Sequence, residues 1–361
     1  VSLAYQDQAT GLANRTHLEE VLSEALIRGQ GEGQALIMVH CRNLGVVNSL
    51  YGYTVGDQLM EWVAQLLGGL AGETRQLFRF ASNRFVFYIK DYLDRADLVE
   101  LAEEAVTRVA EEIALPGRQL ELRVGIVEMS GAYQGAEEVF SQVTAALQHL
   151  ESQEGAPQWV FFDTQIEEAL QRKETLVQEL GEFLDNPTGD TLYLHYQPKV
   201  KTASGEIVGF EALARMNSPT YGFVSPVEFI SLAERSKLIE PFGYWALEEA
   251  CRFIKRLSVL GFGELHVAVN ISVGQLLCPL FPERVRKIMK KVGINPKQLQ
   301  LEITESVLIE DFTAVQERLC PLRDLGVTIA LDDFGTGYSA LCRMEELPID
   351  CIKIDKGFID N

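Results

Sequence analysis

Apolar positions follow two rhythms along this chain. Short runs rich in β-branched and aromatic residues alternate with stretches whose apolar residues recur three and four apart. Runs of the first kind predict buried strands, and stretches of the second predict helices with one packed stripe. Their alternation points to α/β architecture rather than a bundle or a sandwich. In the first half, strands are expected near Gln34–His40, Leu77–Phe80, Arg84–Ile89 and Leu120–Glu128, with helices near Thr16–Ile27, Thr54–Leu70, Arg95–Ile113 and Ala136–Leu150. That set predicts one mixed sheet covered by helices. The polar run E-S-Q-E-G-A-P-Q at Glu151–Gln158 marks a boundary loop, and the helical pattern of Gln165–Leu184 reads as a link. The expected organisation is a first domain over 1–157, a linker helix region over 158–190 and a second domain over 191–361.

In the second half, strands are expected at Leu192–Gln197, Ile207–Leu213, His266–Ile271, Leu299–Thr304, Thr328–Asp332 and Cys351–Ile354, most of them separated by helical stretches. Repeated strand–helix units predict a (β/α) TIM-like barrel, which needs eight strands to close. Six are present, so the barrel is expected to stop before its last two strands.

Composition narrows the classes. The chain has 361 residues, 47% of them hydrophobic, enough for two domains with separate cores. No apolar run approaches the roughly 18 residues of a membrane-spanning helix, so no membrane contact is expected within this segment. Acidic residues outnumber basic ones 52 to 32, a net charge of −20 that disfavours sequence-independent nucleic-acid binding. The six cysteines (Cys41, Cys251, Cys278, Cys320, Cys342, Cys351) form no C-x-x-C pair and are expected to be reduced, mostly core residues of a cytoplasmic protein. Val1 opens directly on a motif without the pattern of a signal peptide, so an upstream sensor or membrane anchor is an open expectation.

Polar residues cluster where a barrel would gather them. V-A-V-N ends at Asn270, L-Q-L-E at Glu302, I-A-L-D-D at Asp332 and Asp333 and C-I-K at Lys353, while V-G-F-E brings Glu211. The C-terminal strand ends of a (β/α) barrel converge on one face, so these residues are expected in one mouth. A single strand-end glutamate is more often solvated or salt-bridged; five polar residues in phase favour a site. Three carboxylates and an amide oxygen brought together repel one another unless cations neutralise them, and oxygen ligands suit Mg²⁺ or Mn²⁺. In D-D-F-G-T-G-Y-S (Asp332–Ser339) the glycines permit a sharp loop beside the aspartates.

Together, Y-Q-P at Tyr196–Pro198, E-A-L-A-R at Glu211–Arg215, N-I-S at Asn270–Ser272, E-I-T-E at Glu302–Glu305, D-D-F-G-T-G, and K-I-D-K at Lys353–Lys356 resemble the EAL phosphodiesterase family. The resemblance runs from about Gln165 to the end. It implies hydrolysis of cyclic di-GMP to linear pGpG by two Mg²⁺ or Mn²⁺ ions and a homodimer formed through the EAL domain. Carried over by motif, Glu211, Asn270, Glu302 and Asp332 would ligate metal, and Asp333 would sit between metal and water. Lys353 would orient or deprotonate the nucleophile, while Gln197, Leu213 and Arg215 would contact substrate and Glu305 would brace the Asp332–Ser339 loop. Family members carry a further catalytic glutamate on the strand after K-I-D-K. A chain ending at Asn361 would lack it and is expected not to turn over substrate.

The first half resembles the GGDEF cyclase family, through D-Q-A-T-G-L-A-N-R (Asp7–Arg15) and N-S-L-Y-G-Y-T-V-G-D (Asn48–Asp57), with Tyr53 where the family has His. Its signature reads A-S-N-R-F (Ala81–Phe85): the two glycines and two acids are gone, Arg84 puts a cation where Mg²⁺ would sit, and His40 stands at the other metal position. The inhibitory product site is replaced by G-E-T-R (Gly72–Arg75). Cyclase activity is expected to be absent. Asn48 and Asp57 survive, either to read a guanine edge of bound GTP or as a structural turn and a helix cap. The leading expectation is a cyclic di-GMP phosphodiesterase with an inactive GGDEF domain as regulatory module. The alternative is a non-catalytic cyclic di-GMP receptor, and the intact metal set favours the enzyme.

Overall fold

The computed structural model describes residues 3–28, 33–115, 118–129, 133–151, 157–305, 312–335 and 347–358. The chain divides into two compact units, Val1–Gln171 and Arg172–Asn361.

The first unit is built on strands β1 (Ala13–Asn14), β2 (Gln34–Cys41), β3 (Arg75–Ala81), β4 (Arg84–Ile89), β7 (Leu122–Met129) and β8 (Trp159–Phe161), in the order β1-β3-β4-β2-β7-β8; β5 (Ala114–Leu115) and β6 (Arg118–Gln119) form a separate hairpin. Strand β2 is antiparallel to both β4 and β7, whereas β1 and β8 add parallel edges. Every residue of β2 is buried. Alternation sends Ala35, Ile37, Val39 and Cys41 toward the helices Tyr53–Gly68 and Arg95–Glu112, and Leu36 and Met38 toward the helices Arg15–Ile27 and Ala136–Glu151. The sheet is thus sandwiched between two helical layers. Asn14 and Asp94 cap two of these helices through their side chains.

The four strands and four helices expected here are present. Strands β1 and β8 were too short to read by periodicity. The helix Leu44–Tyr51 was also missed, because its eight residues are interrupted only by Gly52 before the next helix starts. Trp159–Phe161, assigned by sequence to the linker, pairs with β7 as an edge of this sheet. The helical pattern expected over Gln165–Leu184 forms the helix Thr164–Asp185.

The second unit contains β9 (Leu192–Val200), β10 (Ile207–Ser218), β11 (Gly222–Val224), β12 (His266–Asn270), β13 (Leu299–Thr304), β14 (Thr328–Phe334) and β15 (Cys351–Ile354). β10, β12, β13, β14 and β15 run parallel in that spatial order. One polarity of side chains, including Val267, Val269, Leu299, Leu301, Ile303, Ile329 and Leu331, packs outward against Leu247, Ala250, Cys251 and Ile254, Val285 and Met289, and Val315, Leu319 and Leu322. Those residues belong to the helices Ile239–Val259, Phe281–Val292 and Phe312–Asp324. Helices therefore cover one face of a parallel run, as in the wall of a TIM-like barrel, and the other polarity is left to face inward.

One expectation needs correcting. Leu192–Gln197 was read as the first turn of the strand–helix cycle, but β9 is antiparallel to β10 and joined to it without a helix. The turn around Gly205, at φ +70°, makes a hairpin instead. The glycine-containing loop expected over Asp332–Ser339 lies outside the described residues from 336 onward.

Candidate active site

Register decides which side chains can meet. In the parallel run, Glu211 lies opposite Ala268, Asn270 opposite Glu302, Glu302 opposite Ala330, and Ala330 opposite Cys351. Paired residues share a face, as do residues two apart on one strand. Glu211, Asn270, Glu302, Asp332 and Lys353 therefore all belong to the inward face, each strand advancing the row by zero or two residues. The sequence-predicted constellation is brought together.

At its centre is the Lys353 ammonium. Nζ donates to Glu302 Oε2 and Asp332 Oδ2, both at 2.7 Å, and to Glu211 Oε2 at 3.4 Å. Asn270 Nδ2 donates to Glu211 Oε1 at 3.2 Å, so the amide also lies within the group. The Glu302 side chain is fully buried, while those of Asp332 and Glu211 are about one-sixth to one-fifth exposed, at 16% and 19%. Burial opposes the charge on Lys353, but the hydrogen bonds it donates to Asp332 and Glu302 and the charges of Glu302 and Glu211 outweigh it and raise its pKa well above the usual lysine value. Oxygens of Glu211, Glu302 and Asp332 lie within 4.8 Å of one another. Such a donor set, hard and anionic, with Asn270 able to turn its amide oxygen inward, fits a divalent cation of the Mg²⁺ or Mn²⁺ type.

Asp333 sits differently. It is exposed and adopts φ +52°, a left-handed conformation that an aspartate tolerates better than most residues, and its N–H donates to Asp332 Oδ1 at 2.9 Å. Burial, followed by repulsion from Asp332, raises its pKa above the ordinary aspartate value. The sharp bend keeps its carboxyl near Glu211 and Lys353 although strand alternation alone would send it away. Glu305 is buried and accepts from the Gly335 N–H at 3.3 Å, at the start of the loop it was expected to brace.

Gln197, Leu213 and Arg215 belong to the same inward face, since Gln197 pairs with Glu211, and Leu213 and Arg215 follow Glu211 at steps of two. Arg215 gives one hydrogen bond to the Ala214 carbonyl at 2.8 Å and has no carboxylate partner among the described residues.

Two residues of the site escaped the sequence reading. Lys199 Nζ donates to Glu302 Oε1 at 2.6 Å and to Gln300 Oε1 at 2.9 Å. The signal was available: Lys199 is two residues past Gln197 and Gln300 two before Glu302, so period-2 alternation places both on the site's face.

The EAL domain family model matches residues 177–361, and the diguanylate cyclase GGDEF domain model matches residues 4–157. The chain belongs to the EAL family. It carries GGDEF and EAL domains in tandem. Among curated relatives, the bifunctional diguanylate cyclase/cyclic di-GMP phosphodiesterase MucR of Pseudomonas aeruginosa is 32% identical over 100% of this chain and 52% of its own length. The cyclic di-GMP phosphodiesterase NbdA of the same organism is 33% identical over 99% of this chain and 46% of its own length. The chain thus spans about half the length of these relatives. The S helix–GGDEF–EAL structure of Vibrio cholerae LapD, solved with c-di-GMP bound, is 21% identical, covers 98% of this chain and 82% of that one, and has a TM-score of 0.56, a likeness of fold.

In the GGDEF domain, the positions where the family would place acids hold a hydrogen-bonded chain. Asn83 Nδ2 donates to His40 Nε2 at 2.9 Å and to the Cys41 carbonyl at 3.2 Å, and His40 Nδ1 contacts Glu151 Oε1 at 2.6 Å. Burial lowers the His40 pKa despite Glu151, which favours neutral imidazole. The GGDEF domain also retains Asn48, half-buried on the helix Leu44–Tyr51, with Oδ1 buried and without a hydrogen-bond partner among the described residues. That oxygen lies over Gly56, where a Cβ would come within 1.8 Å of it. Asp57 is exposed in the second turn of the helix Tyr53–Gly68, whose N-cap is Gly52, so it caps no helix. Among the described residues, no helix is long and apolar enough to cross a membrane.

Proposed function

We propose that the EAL domain is a cyclic di-GMP phosphodiesterase, producing linear pGpG with two bound Mg²⁺ or Mn²⁺ ions, and that the GGDEF domain is catalytically silent. The observation that carries this reading is the cluster of Glu211, Glu302 and Asp332 on the inward face of three parallel strands, its charge compensated by Lys353. The relatives named as cyclic di-GMP phosphodiesterases support the substrate.

Glu211, Asn270, Glu302 and Asp332 would hold the ions, and Asp333 beside them would stand between ion and water. Bound there, the ions would supply a nucleophilic hydroxide at neutral pH and neutralise charge on the phosphoryl and leaving oxygens. Lys353, among the same acids, would orient or deprotonate the nucleophile. Arg215, with no carboxylate partner among the described residues, would take a substrate phosphate, while Gln197 and Leu213 belong to the same face. Glu305 fixes the start of the loop at Gly335.

In the GGDEF domain the hydrogen-bonded chain Asn83–His40–Glu151 offers one carboxylate rather than an acid pair for Mg²⁺. Asn48, whose Oδ1 has no hydrogen-bond partner among the described residues, and the exposed Asp57 carboxylate would accept from a guanine edge, so GTP binds there without turnover and regulates the EAL domain. We further place the protein in the cytoplasm, as a homodimer through its EAL domain.

The test is turnover of cyclic di-GMP by the protein that carries this chain, followed by chromatography. Formation of pGpG that requires Mn²⁺ and stops with EDTA supports the enzyme. Tight cyclic di-GMP binding without pGpG would establish the receptor in its place.

A further inference from the structure

Glu302 is the buried member of the acid cluster, and its two oxygens have different partners. Oε2 bonds Lys353, which also reaches Asp332 and Glu211. Oε1 bonds Lys199, which reaches none of the other acids and is anchored by Gln300. Register explains the division. Lys199 pairs with Gly209, two residues before Glu211, and Gln300 precedes Glu302 by two. Both belong to the layer of the inward face below the acids, whereas Asp332 and Lys353 stand at the level of the strand ends.

We propose that Lys199 is a specificity-determining positioning residue: by clamping Glu302 Oε1 from below, it leaves only Oε2 for a cation and biases the site toward Mg²⁺ and Mn²⁺ over Ca²⁺. The inference rests on the metal-dependent reading above. A cation entering among Glu211, Glu302 and Asp332 displaces Lys353 from Oε2, and Lys199 then becomes the contact that still holds the buried carboxylate. Small cations take one oxygen per carboxylate in near-octahedral sites. Calcium takes six to eight oxygens and readily accepts both from one carboxylate. A Glu302 pinned by one oxygen therefore withholds a ligand that calcium would use and Mg²⁺ or Mn²⁺ would not.

Removing Lys199 has a second effect of opposite sign. Losing a positive charge beside the site favours any dication, while losing an anchor for the ligand disfavours it. The ratio of calcium to manganese affinity separates these effects, because both ions carry the same charge and share the electrostatic change.

The experiment is calorimetric titration of the protein carrying this chain with Mn²⁺ and with Ca²⁺, in the absence of nucleotide, for wild type, Lys199→Met, Lys199→Arg and Gln300→Leu. In the wild type Mn²⁺ binds more tightly than Ca²⁺. Lys199→Met should shift the ratio of dissociation constants toward calcium by about tenfold, a displacement typical of a lost ligand-orienting contact. Gln300→Leu, which removes only the anchor of Lys199, should shift it in the same direction by less, and Lys199→Arg should restore it. Gln300→Leu keeps the inference testable if Lys199→Met fails to fold. An unchanged ratio in the folded variants overturns the role of Lys199 and leaves the phosphodiesterase reading standing. A wild type that binds neither ion overturns that reading and this inference together.

Discussion

Each of the two units carries polar residues near the ends of buried strands, and they manage that polarity in opposite ways. In the EAL domain three carboxylates crowd together, Glu302 with no exposure at all, and lysines hold them in place. In the GGDEF domain the equivalent polarity is relayed through Asn83, His40 and Glu151. An acid cluster leaves charge that a cation can still claim, whereas the relay uses its donors and acceptors on one another. On the proposed reading, the difference separates a site that takes up metal from one that has closed over.

The largest effect should come from the acids themselves. Glu302→Gln keeps the shape but removes a buried ligand, and phosphodiesterase turnover should fall by at least about 10²-fold, several kcal/mol of transition-state stabilisation. Product chromatography checks it, and near-normal turnover would place the chemistry elsewhere. Next comes Lys353→Met. It strands the carboxylate cluster around buried Glu302, so without metal the folding stability should fall by roughly 2–3 kcal/mol, tempered because Lys353 is one-quarter exposed, at 25%. Adding Mn²⁺ should recover more stability in this variant than in wild type, which differential scanning fluorimetry with and without EDTA would read.

Smaller effects belong to the GGDEF domain. Gly56→Ala pushes a methyl into Asn48 Oδ1 and should weaken GTP binding roughly tenfold, about the worth of one hydrogen bond, with little change in melting. Unaltered GTP affinity would remove Asn48 from the nucleotide site. The smallest effect is a pH slope. Because His40 has a lowered pKa when folded, the unfolded chain binds the proton first. Stability is therefore present above about pH 6.5 and is lost as pH falls from there toward the folded value. His40→Gln should flatten that slope in urea titrations between pH 7 and pH 5.

Much of this comparison was legible in the sequence. Glu211, Asn270, Glu302, Asp332 and Lys353 could be placed together because strands repeat with a period of two and parallel neighbours share faces. Lys199 was overlooked because it carries no motif of its own and gains meaning only from the hairpin that brings β9 alongside β10. That hairpin was itself hidden, since an antiparallel strand and a parallel one have the same hydrophobic pattern. Strands β1, β8 and β11 are two or three residues long, too short for periodicity to register. The position of Asp333 depends on a positive φ, which residue type permits but does not announce. Likewise, the His40–Glu151 contact spans 111 residues, beyond any local pattern.

The central claim is that one domain turns over its nucleotide while the other is silent. It is tested most directly by incubating the protein carrying this chain with Mn²⁺ and either cyclic di-GMP or GTP in parallel, and resolving the products. The account predicts pGpG from cyclic di-GMP and no cyclic di-GMP from GTP. Cyclic di-GMP made from GTP, or cyclic di-GMP left intact, would contradict it.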